Sequence, residues 1–132
     1  GQGAYRAGQH LQRGPTRLGR NSLLAMTTTA LRRYGTPPRS LGHVRSLGSI
    51  ALQLVACAEE HVDVALTTNW SVWDLAAGLA ILAEAGGRTV TVDGVEIVDL
   101  LACPPEVDLI SGGSDVAEFV PDPLPRWGPA GS

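Results

Sequence analysis

The stretch Trp73-Asp74-Leu75-Ala76-Ala77-Gly78, continuing through Leu79-Ala80-Ile81-Leu82-Ala83-Glu84-Ala85 to Gly86-Gly87, limits more than any other what this chain can fold into. It reads as one complete helix punctuated at both ends. Ala and Leu are strong helix formers, and the double glycine supplies a left-handed stop. Asp74 at the start can accept from free backbone N–H groups, and its charge suits the positive end of the helix dipole. Leu75, Leu79 and Leu82 lie on one side and Ala76, Ala77 and Ala80 on the other, so the helix is apolar nearly all round. That predicts burial between two layers.

An aspartate at the mouth of so apolar a helix has two readings. It caps the helix, or it faces a cleft and helps to hold a hard cation through its carboxylate oxygens. The pattern around it, aromatic, Asp, any residue, three small residues, an apolar run and Gly-Gly, resembles a signature of the inositol monophosphatase family of magnesium-dependent sugar phosphatases. The resemblance implies that Asp74 is a metal ligand and that the ion is Mg²⁺.

Two further stretches share the resemblance. Arg45-Ser46-Leu47-Gly48-Ser49-Ile50-Ala51 opens a helix with Leu47, Ile50, Ala51, Leu54, Val55 and Ala58 at core spacing. It is similar to the family's Arg-x-x-Gly-Ser/Thr-Ala motif, which implies that Gly48 and Ser49 contact substrate; without that likeness Ser49 reads as an N-cap. Gly1-Gln2-Gly3-Ala4-Tyr5-Arg6-Ala7-Gly8 resembles the family's Gly-x-Gly-Ala-aromatic-x-Asn-Gly hairpin, with Ala7 in place of Asn. The family has this hairpin near mid-protein, which implies that the chain corresponds to a C-terminal half.

The other elements follow from local pattern. Ser22 to Thr29 reads as a buried strand ending in the hydroxyls of Thr27, Thr28 and Thr29. Leu31 to Gly42 reads as irregular, because Pro37-Pro38 forbids a continuous helix. Val62 to Thr67 alternates as a strand with one buried face. In the resemblance an acid seven positions before the metal aspartate binds substrate hydroxyls, so Thr67 inherits the substrate-binding position with a neutral side chain. Trp70 reads as a staple for the helix entry. Arg88 to Val92 is a strand, Asp93-Gly94 a turn, Val95 to Leu100 a returning edge, and Val107 to Gly113 a last strand and turn. Ser114 to Val120 is left for a terminal helix. From Pro121 the proline-rich run reads as a mobile tail, so the expected division is a domain over 1–120 and a tail over 121–132.

Charge is segregated. Residues 1–50 hold eight arginines and no acid, while 51–132 hold all thirteen acids, within a net charge of −3. An acid-free basic half raises nucleic acid as a partner. The arginines are scattered, however, without interleaved aromatics or a helix-turn-helix or zinc pattern, so a solvated face or a surface for an acidic segment is favoured. Cys57 and Cys103 lack metal or redox spacing, and His10, His43 and His61 have no partner at triad spacing. No apolar run approaches a membrane span and no signal peptide is evident, which leads us to expect a soluble cytoplasmic protein.

Together these readings give an α/β fold class: the layered sheet-and-helix C-terminal subdomain of a sugar phosphatase, whose intact family fold is an αβαβα sandwich. The resemblance implies a hydrolase acting on a small phosphorylated metabolite, an inositol phosphate or related sugar or polyol phosphate. The alternatives are histidinol phosphate, a nucleotide-derived phosphate, or a non-catalytic scaffold half-domain. The family takes its remaining metal carboxylates from a Gly-Glu-Glu segment and an Asp-Pro-Ile/Leu-Asp-Gly-Thr segment, neither present here. A missing N-terminal half or complementary chain is therefore the expected partner, and the family often forms homodimers.

Overall fold

In the computed structural model, which describes residues 1–121 and 124–128, a five-stranded mixed sheet forms the body of the chain. A separate hairpin precedes it: β1 (Ala4–Arg6) pairs antiparallel with β2 (Gln9–Leu11). Ala7 (φ 50°) and Gly8 (φ 79°) form its two-residue turn. Both central residues are left-handed, as the tight turn that matches strand twist requires.

The sheet comprises β3 (Leu23–Met26), β4 (His43–Arg45), β5 (Val64–Thr67), β6 (Arg88–Thr91) and β7 (Leu109–Gly112), in the order β4-β3-β5-β7-β6. β4, β3 and β5 run parallel; β7 is antiparallel to both β5 and β6. Parallel strands need crossover connections, supplied by α1 (Thr28–Tyr34) between the neighbours β3 and β4 and by α2 (Ile50–Ala58) from β4 across to β5 on the other side of β3. α3 (Val72–Glu84) leads from β5 to β6.

Side chains alternate across the sheet and build a core on each face. α2 and α3 cover one face with Leu54, Cys57, Leu75 and Leu82 around Leu109. On the other face Met26, Leu66, Val90 and Ile110 pack with Ala30 of α1 and Val116 of a 3₁₀ turn, Val116–Phe119, which stands in place of the expected terminal helix. β5 is central and covered on both sides, so Ala65, Leu66 and Thr67 are all buried and not one face alone. Among the described residues no helix is long and apolar enough to cross a membrane.

Several elements depart from expectation. The strand expected over 22–29 ends at Met26, because the Thr27 hydroxyl accepts the Ala30 N–H (3.1 Å) and starts α1 there. The segment expected to be irregular thus begins inside a helix, which stops at Gly35, before the proline pair. Arg45 ends a short edge strand and does not open α2, whose buried residues are Gln53, Leu54, Cys57 and Ala58 while Leu47 and Ala51 are exposed. α3 is buried on one side only. Leu75, Gly78 and Leu82 face the core, but Ala76, Ala77, Ala80 and Ala83 are exposed and Trp73 is 85% exposed, since only one layer lies against the helix in this chain.

The end of the chain also differs from a free tail. Leu124 and Trp127 pack against the second core, and the Trp127 N–H donates to the Tyr34 carbonyl at 2.6 Å. Gly35 (φ +79°) permits this approach, since a Cβ there would collide with the Trp127 carbonyl. Residues 122–123 and 129–132 lie outside the described residues.

Candidate functional site

Because β3, β4 and β5 are parallel, their carboxyl ends meet at one edge of the sheet. Each runs directly into a helix start: Met26 into Thr27 and α1, Arg45 through Gly48 and Ser49 into α2, and Thr67 through Ser71 into α3. The crevice outside the carboxyl ends of parallel strands is where open α/β sheets bind ligands. Gly48, Ser49 and Asp74 all belong to this edge.

Asp74 is the third residue of α3. Its Oδ2 accepts from the Ser71 N–H (3.3 Å) and the Ser71 hydroxyl (2.6 Å), one half of a capping box. The carboxylate is exposed. The cap and an outward-facing ligand role are therefore compatible, since Oδ2 alone serves Ser71.

Ser49 is the N-cap of α2, its Oγ accepting the Leu52 N–H at 3.3 Å. Gly48 has φ +73° and open space where a Cβ would point. Glycine is needed there for the backbone turn, and the same lack of a side chain leaves the start of α2 uncovered.

Thr67 is placed differently from expectation. It has 0% exposure and its Oγ1 finds no partner among the described residues, so it offers no surface to a ligand. The hydroxyls that gather at the strand ends are those of Thr27, Thr29 and Thr68. Thr68 Oγ1 lies 2.9 Å from that of Thr27 and 2.5 Å from that of Thr29. Sequence reasoning misses Thr68; a second hydroxyl directly after a strand that ends in Thr67 is its only signal. Trp70 is a buried staple whose Nε1–H donates to the Val107 carbonyl (2.7 Å).

Of the remaining reactive groups Cys57, His10, His61 and Asp108, only Asp108, beside the Thr67–Leu109 pair where β5 ends, lies near this edge. Burial pushes the Cys57 thiol up to about 11, which makes it an inert packing group. His10 stacks on Tyr5 with ring centroids 5.0 Å apart, and His61 lies 3.4 Å from Glu59. Asp108 is buried under Arg33, which approaches both carboxylate oxygens (2.6 and 2.7 Å), and under the Tyr34 hydroxyl. That cluster ties the end of α1 to the start of β7.

A magnesium ion commonly takes one or two protein carboxylates together with substrate phosphate and water. Among the described residues no group of three or more His, Cys, Asp or Glu side chains comes together to hold a metal. Asp74, with one oxygen already committed to Ser71, does not make such a site by itself.

Comparison with known proteins bears on the family and the fold. An inositol-1-monophosphatase of Mesorhizobium japonicum is 39% identical over 74 residues, 56% of this chain and 24% of that protein. A histidinol-phosphatase of Mycobacterium tuberculosis is 46% identical over 52 residues, 39% of this chain and 20% of that protein. The structure of inositol monophosphatase from Anabaena superposes with a TM-score of 0.71 at 27% identity, covering 96% of this chain and 53% of that one. The chain thus spans about half the length of that structure and a smaller share of the curated relatives. The profile of the inositol monophosphatase family matches residues 2–119, and the chain belongs to that family.

Proposed function

We propose that this chain is the C-terminal portion of a Mg²⁺-dependent phosphatase that hydrolyses a small phosphate monoester, an inositol phosphate or a related sugar or polyol phosphate. The observation that carries the reading is the convergence of exposed Asp74, Gly48 and the α2 start at the carboxyl edge of the parallel strands, in a member of this family.

In this reading Asp74 contributes one ligand to Mg²⁺, and carboxylates from outside this chain contribute the others. When bound, the ion would polarise the phosphoryl group and supply a nucleophilic hydroxide. This chain's own part is to aim the Asp74 carboxylate through Ser71, to present the uncovered start of α2 to phosphate oxygens, and to hold Ser49 in place through its cap. The exposed alanine face of α3, with Trp73 beside it, is suited to take the second layer from the missing half. Small side chains there allow close approach of a sheet or helix.

Histidinol phosphate is the second reading, favoured by the histidinol-phosphatase similarity. The test is hydrolysis of inositol 1-phosphate and histidinol phosphate, with and without Mg²⁺, by the chain joined to or mixed with an N-terminal half carrying the two carboxylate segments. Metal-dependent turnover that requires both halves supports the proposal. A reconstituted protein that binds neither metal nor phosphate supports the scaffold alternative instead.

A further inference from the structure

The two ends of the sheet carry opposite charge. At the β4 and β3 end, Arg45 is the last residue of β4, Arg39 lies in the connection leading into it, Arg32 is on the crossover helix α1, and Arg17 and Arg20 precede β3. All five are exposed, and none has an acidic partner among the described residues, whereas Arg6, Arg13, Arg33 and Arg88 are each paired. Residues 1–50 supply no acid. The fold brings Glu118 beside Leu18, Pro37 and Leu41 of these loops, but it pairs with none of the five among the described residues.

At the other end, residues 95–97 turn back along the free edge of β6. The Thr91 N–H donates to the Val95 carbonyl (2.8 Å) and the Ile97 N–H to the Thr89 carbonyl (3.0 Å). Beside this segment lies an open groove of about 320 Å³, whose lining includes Val95, Val98, Ala102 and Val107 together with the acids Glu96 and Asp99. Val95 is 62% and Val98 91% exposed. Asp93 and Glu106, also exposed, flank the segment and have no ion-pair partner among the described residues. Arg88, held by Glu96 at 3.6 Å, is the one arginine between residues 51 and 125. In the order β4-β3-β5-β7-β6 the two ends are four strand spacings apart. That is about 19 Å, or nearly two screening lengths in 0.1 M salt, so the ends of one molecule do not neutralise each other.

We propose that the acidic, apolar groove beyond β6 docks the basic β4 end of a second copy of this chain, head to tail. Charges on edge strands keep like sheets apart, and here they oppose pairing of two basic or two acidic ends. Between unlike ends the same charges attract. Such a contact is heterologous: it leaves one end free on each copy, so association proceeds past the dimer to a ring or a filament. The test is sedimentation velocity of the full chain at rising concentration, in about 0.1 M and about 1 M salt, between which the screening length falls from about 10 Å to about 3 Å. Species larger than a dimer are expected at low salt, with association about tenfold weaker at high salt. The surface variants Arg20→Gln/Arg39→Gln and Asp93→Asn/Glu106→Gln, each checked for an unchanged circular dichroism spectrum, should each weaken association about tenfold. An equal mixture of the two should stop at a one-to-one dimer, because each keeps the end that the other lacks. Val98→Ser, at a position too exposed to matter for folding, should weaken association while leaving its salt dependence in place. A chain that stays monomeric at both salts, association that salt does not weaken, or a mixture no larger than its separate components would overturn the proposal. So would loss of the association on adding an N-terminal half, which would assign the groove to that half.

Discussion

The Asp74 carboxylate accepts both the N–H (3.3 Å) and the hydroxyl (2.6 Å) of Ser71, three residues before it. This pair of bonds fixes where α3 starts and leaves the carboxylate at the surface, at the edge where β3 and β5 end. An asparagine in its place keeps an oxygen that can accept both bonds. Capping and metal binding can therefore be separated at this residue.

Ala7 holds φ 50° in the β1–β2 turn, beside Gly8 at φ 79°. Left-handed backbone costs an L-residue about 1–2 kcal/mol, and asparagine tolerates it best among residues other than glycine. Ala7→Asn should raise stability by up to about 1 kcal/mol. Urea denaturation of the two proteins checks this, with a higher midpoint expected for the variant.

Gly78 lies where α3 crosses α2, and a Cβ there would fall 2.8 Å from both Cβ and Cδ1 of Leu54. Alanine improves helix propensity by about 1 kcal/mol. Overpacking a filled core costs about 1–3 kcal/mol. Gly78→Ala should therefore lower the denaturation midpoint; a raised midpoint would show that Leu54 moves aside freely.

Thr67 Oγ1 is buried without a partner among the described residues, whereas Thr68 Oγ1 has two. Thr67→Val should leave stability unchanged or raise it, because it removes an unpaired buried hydroxyl while keeping a similar shape. Thr68→Val should lower stability by about 1 kcal/mol by breaking the threonine cluster. Parallel thermal unfolding of the two variants distinguishes them.

The Tyr34 phenol is pushed up from 10.0 to about 12, first by burial and then by its hydrogen bond to Asp108. A raised folded-state value means that the folded protein holds the proton longer than the unfolded one. The stabilisation is complete below the ordinary value of 10.0 and is lost as pH rises toward about 12. Tyr34→Phe removes that component, so its stability should fall less steeply over this window. Denaturation midpoints measured across the window give the comparison.

The parts legible in the sequence are those with a long period or an explicit stop. α3 is readable because Ala and Leu run from Leu75 to Ala85 and Gly86-Gly87 ends them, and the β1–β2 turn because Gly8 follows a short extended piece. Short elements decided by tertiary contact are not. β4 has three residues with no alternation to detect, and α1 is hidden because three consecutive threonines favour strand locally while Thr27 acts as a cap. The buried face of α2 includes Gln53, a polar residue that periodicity assigns outward. Within the candidate site, the parallel topology puts the helix starts that carry Asp74, Gly48 and Ser49 at one edge of the sheet, an arrangement their separate motifs do not show. The burial of Thr67 is invisible in its own strand, which cannot reveal that β7 and two layers enclose it. The strap through Trp127 is unreadable locally, since it depends on a hydrogen bond to Tyr34, remote in sequence.

The most direct measurement is Mg²⁺-dependent phosphate release from inositol 1-phosphate by the two-half protein, comparing wild type with Asp74→Asn at equal folded concentration. Loss of about 100-fold or more is expected, because even residues that only orient metal ligands cost about 10–100-fold. The unfolding midpoint should barely move, since the amide oxygen of the variant still accepts the Ser71 N–H and hydroxyl. Full activity in Asp74→Asn would contradict the assignment of Asp74 as a metal ligand and leave it as a cap alone.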